Sequence, residues 1–119
     1  MIYLDNISGT PLHPEVKKVM IEQIQNGLGN PISQHSIGDH ALDALERARS
    51  HVAALINAKP EEIIFTSGGT ESINHAVKGV AFAMGNKGKH IITSNIEHQA
   101  VLRSLRVLMK LGYHVTSLP

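Results

Sequence analysis

The sequence predicts an α/β fold in which helices pack on a mostly parallel sheet. From residue 62 onward, short apolar runs alternate with amphipathic helical patterns. The glycine pair Gly68-Gly69 lies where the first apolar run gives way to a helical pattern, which is typical of a strand-to-helix turn. Of the 119 residues, 42% are hydrophobic but only two are Phe, two are Tyr and none is Trp, which predicts an aliphatic core.

The first half of the chain is predicted to be mainly helical. After an extended lead-in over residues 1–11, apolar residues at helical spacing predict a helix over Pro14–Gln25, and a proline suits its first position. The glycines and proline of residues 26–31 end this helix. We expect an irregular loop over Pro31–Gly38 and a long amphipathic helix from Asp39 to Ile56.

The second half of the chain alternates strands with helices. The predicted elements, in chain order, are a strand over Glu62–Phe65, a helix over Thr70–Met84, a strand over His90–Ser94, a helix over Gln99–Leu111 and a strand over Tyr113–Leu118. Strands that are joined through helices in this order form a parallel sheet with right-handed crossovers.

A sheet of three strands would be a small core with two bare edges. We therefore expect this chain to be the opening portion of a larger α/β domain. Residues 1–38 are predicted to form an extended segment, a helix and a loop, and residues 39–119 the incomplete start of that domain. A compact stand-alone fold is the alternative.

Composition excludes several classes of function. The net charge is +1, so nothing indicates nucleic acid or an anionic membrane surface as a partner. The chain has no cysteine, which excludes disulfides, thiolate metal sites and a cysteine nucleophile within it. The histidines show no metal-ligand spacing, and no metal site is predicted. Because no secretory signal or membrane-spanning run is visible, we expect a cytoplasmic protein.

The turn around Gly68-Gly69 is the strongest candidate site. A helix that starts there presents free backbone N–H groups and the positive end of its dipole, which suits a phosphate. The glycines allow close approach and positive φ, and the Thr70 hydroxyl adds a donor. The alternative is a tight structural turn with Thr70 as the N-cap of the helix.

Two histidines are further candidates. His98 follows the second strand and precedes a helix, at the sheet edge where ligands bind in open α/β folds. Its imidazole could stack on a planar ligand or move protons near neutral pH, and the alternative is a surface histidine near a helix end. His35 lies in a loop that is rich in turn-forming residues, where it could hold a site or cap a helix.

Four motifs, in order and with matching spacing, resemble the cysteine desulfurases of the NifS/IscS type, within the class V aminotransferase group of pyridoxal-phosphate enzymes. The segments that carry the resemblance are Tyr3-Leu4-Asp5-Asn6 with Thr10-Pro11, then Gly29-Asn30-Pro31 with Ser33, His35 and Gly38, then Ile64 to Asn74, and finally Lys87 to Ser94 with Glu97 to Val101. One departure is Ile7-Ser8-Gly9, which replaces the family's Ala-Ala-Thr on the expected substrate side.

The resemblance implies the N-terminal part of the large domain of a fold-type-I pyridoxal-phosphate transferase. Gly69 and Thr70 would hold the phosphate of pyridoxal 5′-phosphate, and His98 would stack on its ring and act as a catalytic residue in proton transfer. Family members are homodimers, and the loop with His35 is expected near their interface. The expected partners are L-cysteine as substrate and a sulfur-acceptor or scaffold protein.

The implied reaction converts cysteine to alanine and leaves a persulfide for iron–sulfur cluster assembly or thiolation. The family's Schiff-base lysine, in an S-x-H-K segment, and its persulfide cysteine come later than the matched motifs, and this chain contains neither. We therefore expect no covalent catalysis from this chain alone. The alternatives are a class V relative that acts on selenocysteine or another amino acid, and a truncated, non-catalytic chain that binds a partner or phosphate.

Overall fold

The computed structural model describes residues 2–27 and 29–119. The chain divides into two compact units, the first ending at Ile63 and the second running from Ile64 to Pro119. The candidate residues Gly69, Thr70 and His98 all belong to the second unit. The predicted domain division between residues 38 and 39 stays a prediction.

The first unit begins with helix α1, Pro14–Asn26. Its N-cap is His13, whose Nδ1 accepts a hydrogen bond from the Glu15 amide at 3.3 Å. The predicted helix is confirmed, with one more residue at its end. Among the described residues, none in α1 is buried, and Val16 remains 47% exposed, so the apolar face of α1 is uncovered in this unit.

Helix α2, Ser36–Leu55, begins three residues earlier than predicted. The reason is His35, whose Nδ1 accepts a hydrogen bond from the Gly38 amide at 3.2 Å and so caps the helix before Ser36. Gly38 is buried, and a Cβ there would lie 2.1 Å from the Ser33 carbonyl oxygen. Only glycine fits where the Ser33 carbonyl passes so close to residue 38. Because the chain is already helical over residues 36–38, the predicted loop is wrong there.

The strand predicted over Glu62–Phe65 is wrong. A short 3₁₀ turn occupies Pro60–Glu62, and the extended backbone that follows pairs with no strand of the described residues. Both backbone groups of Ile63 are bound elsewhere, because its N–H donates to the Pro60 carbonyl at 3.1 Å and its carbonyl accepts from the Arg49 guanidinium. Since each backbone group is already satisfied, Ile63 adds nothing to a ladder.

The second unit contains helix α3, Gly69–Met84, strand β1, His90–Ser94, helix α4, Gln99–Lys110, and strand β2, His114–Leu118. The strands are parallel, with His90 opposite His114 and Ser94 opposite Leu118. This confirms the predicted β-α-β crossover through α4. The described sheet has two strands instead of the three predicted.

The core of the second unit lies where α3 and α4 meet the sheet. Leu108 has no exposed surface and packs with Leu105 and with Ala81 of α3. Tyr113, just before β2, donates its hydroxyl to the Ala81 carbonyl at 2.7 Å. The helices and the sheet are thus joined mainly by aliphatic contacts, as the aromatic-poor composition predicts, together with the Tyr113 hydrogen bond. None of the helices in the described ranges is both long enough and apolar enough to cross a membrane.

Replacing Leu108 with alanine is expected to lower the free energy of unfolding by about 2 to 5 kcal/mol, because the lost contacts leave a cavity that the core fills only partly. Urea unfolding followed by circular dichroism measures this change. Val107→Ala is the control, since Val107 is the neighbouring residue of α4 and is 43% exposed. Equal losses in the two variants would contradict the assigned core.

Candidate functional site

The start of α3 forms a backbone corner, which we define as residues 66–72. Gly68 is the N-cap with a φ of 154°, an angle that favours glycine, and Gly69 is the first helical residue. Thr70 is therefore inside the first turn, so the alternative that placed Thr70 at the N-cap is wrong, and the helix begins one residue earlier than predicted. The reason is the positive φ, which only the preceding glycine adopts at low cost.

The corner differs from the other helix starts in having no capping side chain. Among the four described α-helices, three begin with a histidine whose Nδ1 accepts from a first-turn amide, and α3 begins with glycine. Within the described part of the chain, the amides of Gly69, Thr70 and Glu71 donate to no protein acceptor, and neither does the Thr70 hydroxyl. These donors lie at the positive end of the helix dipole.

The donor set matches the needs of a phosphate ester. Three open amides, one open hydroxyl and the helix dipole supply hydrogen bonds and positive potential to an anion with several acceptor oxygens. A Cβ placed on Gly69 would meet nothing within 4 Å, so the chain leaves this side of the backbone clear. The residues present thus fit the phosphate group of pyridoxal 5′-phosphate.

Side-chain hydrogen bonds hold the corner in shape. The Glu71 carboxylate accepts from the Ser67 amide at 2.6 Å and from the Ser67 hydroxyl at 2.7 Å. The Thr66 and Ser72 hydroxyls are 2.7 Å apart, and Ser72 also donates to the Gly68 carbonyl at 3.2 Å. These bonds link both sides of the glycine pair.

The hydrogen bonds from the Ser67 amide and hydroxyl lower the pKa of Glu71, and the charge of His75 adds to this effect. The stabilisation that they give is therefore present above the ordinary carboxyl pKa and is lost only as pH falls through the lowered value. Glu71 is not among the site residues that the sequence predicts. A sequence signal for the Ser67–Glu71 contact is that a serine precedes a glutamate by four residues across a helix start, one residue more than in a capping box.

His98 is the N-cap of α4. Its Nδ1 accepts from the Ala100 amide at 3.1 Å, and the residue is exposed. An Nδ1 that accepts a hydrogen bond carries no proton, so the neutral ring has its proton on Nε2. The open edge of this imidazole is thus a hydrogen-bond donor in the neutral state.

His98 and the corner lie at the amino ends of α4 and α3, and contacts at the carboxyl ends of these two helices show how the helices are arranged. The Tyr113 hydroxyl, which follows α4, binds the Ala81 carbonyl of α3 and would lie 2.9 Å from a Cβ on Gly85. The carboxyl ends of α3 and α4 therefore meet, and the helices pack side by side. We infer that they run in the same direction, with their amino ends on one side of the unit.

His35 belongs to the first unit, where its side chain caps α2. This confirms the capping alternative for His35, and its expected place near a subunit interface stays a prediction. Within the described residues, no group of three or more His, Asp or Glu side chains is placed to hold a metal ion.

The two glycines of the corner are expected to respond differently to alanine. Gly68→Ala is expected to lower the free energy of unfolding by about 1 to 3 kcal/mol, because alanine is strained at the φ of 154°. Gly69→Ala is expected to be neutral or stabilising by less than about 1 kcal/mol, since the added methyl group meets nothing. Urea unfolding of both variants measures the difference, and equal effects would disagree with the corner geometry.

His98→Ala is expected to cost about 0.5 to 2 kcal/mol of stability, because the Ala100 amide loses its cap. His98→Asn is the matched variant, since an asparagine oxygen caps a helix well and should recover most of the loss. Thermal unfolding of the two proteins provides the comparison. If asparagine were as destabilising as alanine, the capping role would be refuted.

Comparisons with known proteins agree with this architecture. Residues 2–119 match the family model described as aminotransferase class-V. The chain is 52% identical to a cysteine desulfurase IscS of Dictyoglomus turgidum, over 99% of this chain and 30% of the relative. It is 51% identical to a cysteine desulfurase IscS of Azotobacter vinelandii, over 98% of this chain and 30% of that relative. The chain thus spans about a third or less of the curated relatives that it matches.

Solved structures show the same similarity. A NifS-like protein superposes with a TM-score of 0.87 and 38% identity, over 96% of this chain and 31% of that protein. A structure described as SspA in complex with cysteine superposes with a TM-score of 0.83 and 38% identity, over 93% of this chain and 32% of that protein. The predicted α/β fold class and the resemblance to NifS/IscS-type proteins are confirmed.

Proposed function

The chain belongs to the aminotransferase class-V family, and we propose that it forms part of a pyridoxal 5′-phosphate-dependent cysteine desulfurase. The observation that carries this proposal is the uncapped start of α3, with its open amides and hydroxyl, within a chain about half identical to proteins named cysteine desulfurase. The neighbour described in complex with cysteine supports cysteine as the substrate.

We propose that the corner holds the cofactor through its phosphate. The amides of Gly69 and Thr70 and the Thr70 hydroxyl would donate to the phosphate oxygens, with the dipole of α3 behind them. When bound, the cofactor supplies an electron sink for the substrate. The binding energy of the phosphate would come mostly from backbone donors, which fix its position without a long flexible side chain.

We propose that His98 stacks on the cofactor ring and assists proton transfer. Its Nδ1 is committed to the Ala100 amide, so Nε2 is the atom that would donate or exchange a proton. The same hydrogen bond fixes the ring at the start of α4. Stacking and capping are compatible, because stacking uses the face of the ring and capping uses its edge.

The proposed reaction needs a cysteine thiolate, which this chain does not contain. The thiolate would form an S–S bond with the substrate sulfur while the substrate C–S bond breaks. The electron pair of that bond stays on carbon, which takes up a proton and leaves alanine, and the enzyme keeps a persulfide. We propose that the persulfide sulfur then passes to an acceptor or scaffold protein for iron–sulfur cluster assembly or thiolation.

The proposal also includes a homodimer, with the loop that contains His35 near the interface, and a cytoplasmic location. Sedimentation of the full-length protein would test the dimer by its mass. A monomer with full desulfurase activity would contradict it.

The activity is tested on the full-length protein with added pyridoxal 5′-phosphate and L-cysteine. We expect a visible absorption band of the bound cofactor, and release of sulfide from L-cysteine in the presence of a thiol reductant. Bound cofactor without sulfide release would reject the desulfurase and favour a relative with another substrate. No cofactor band would reject the proposal altogether.

Thr70→Val is expected to weaken pyridoxal 5′-phosphate binding about two- to tenfold, because it removes one phosphate donor while keeping the side-chain shape. Equilibrium dialysis measures the affinity. Thr116→Val, the same change on β2, is the control and should bind as the unchanged protein does. Equal affinity in all three proteins would remove Thr70 from the phosphate site.

A further inference from the structure

Glu71 places a negative charge at the end of α3 that is proposed to hold a phosphate. Its carboxylate folds back onto Ser67, where a single oxygen, Oε2, accepts both the amide and the hydroxyl of that residue. Two hydrogen bonds thus hold the carboxylate near Ser67, and both must break before it can move away from an approaching anion.

This contact has a geometric consequence. The Ser67 amide is occupied by Glu71, so it is not one of the open donors, which in the first turn of α3 are the amides of Gly69, Thr70 and Glu71 itself. The bond also spans the N-cap Gly68 and adds to the Thr66–Ser72 and Ser72–Gly68 hydrogen bonds of the corner. Without it, less of the corner would be ordered before the ligand binds, and ordering it then costs conformational entropy.

The charge of Glu71 also has an electrostatic effect, which disfavours phosphate binding. A carboxylate at a helix start is stabilised by the dipole, but it repels a second anion at the same end. Residue 71 is exposed, so this repulsion acts mainly through water and is moderate.

We propose that Glu71 is a positioning residue that presents the open amides to a phosphate while its charge limits how tightly that phosphate is held. This inference rests on the proposed function. The two effects are separable, because one oxygen accepts both hydrogen bonds. A glutamine has such an oxygen without the charge, and an alanine has neither.

The test compares the unchanged protein with Glu71→Gln and Glu71→Ala, using inorganic phosphate as the probe and following the NMR shifts of the Gly69 and Thr70 amides. Glu71→Gln is expected to bind phosphate about three- to tenfold more tightly than the unchanged protein, because only the repulsion is lost. Glu71→Ala is expected to bind about three- to tenfold more weakly than Glu71→Gln, because both lack the charge and only alanine lacks the two bonds.

The shift of the Ser67 amide is a second readout that does not depend on phosphate. It should be similar in the unchanged protein and in Glu71→Gln, and should change in Glu71→Ala. If Glu71→Ala does not fold, Ser67→Ala takes its place, since it removes only the hydroxyl bond and should weaken binding by a smaller factor.

The possible failures are distinguishable. If phosphate moves neither amide in the unchanged protein, the proposed phosphate corner is wrong, and the role of Glu71 falls with it. If phosphate binds but Glu71→Gln and Glu71→Ala have equal affinity, only the positioning role is overturned. If Glu71→Gln binds no more tightly than the unchanged protein, the role of the charge is overturned.

Discussion

Leu108 has no exposed surface, and its contacts with Ala81 and Leu105 hold α4 against α3. Tyr113 adds a hydrogen bond to the Ala81 carbonyl at the same end of the helices. The position of the candidate site depends on this contact, although the site lies at the opposite helix ends. Since the carboxyl ends are joined, helices that run in the same direction would bring the corner and His98 to one side of the unit, as the proposed shared ligand requires.

The helices and the paired strands could be predicted from sequence because their signals are local. Apolar spacing predicts α4, and the β-branched residues Ile91, Ile92 and Thr93 predict β1. Local signals could not decide whether Glu62–Phe65 forms a strand, because a strand is defined by its hydrogen-bond partners elsewhere in the chain. The Ile63 carbonyl is bound by Arg49, fourteen residues away on α2, and no local pattern reveals such a contact. The site was predictable as a position in the fold, but its N-cap and its Glu71 contact required the backbone angles.

Histidine capping on its own is not a functional signal in this chain. His13 and His35 cap α1 and α2 with the same ring nitrogen that His98 uses on α4. What distinguishes His98 is its place after β1, at the edge where the parallel strands end. The cap fixes the ring and commits Nδ1 to the Ala100 amide, so the proposed stacking and proton exchange would use the face of the imidazole and Nε2.

The start of α3 differs from the starts of the other three described α-helices. Three described helices satisfy a first-turn amide with a side chain, and α3 instead has Gly68 at the position where such a side chain would lie. The open amides cost little in water, because water satisfies them. They become favourable donors only when an anion replaces that water at the end of a helix dipole. The proposed phosphate site therefore rests on the contrast between the start of α3 and the three capped helix starts.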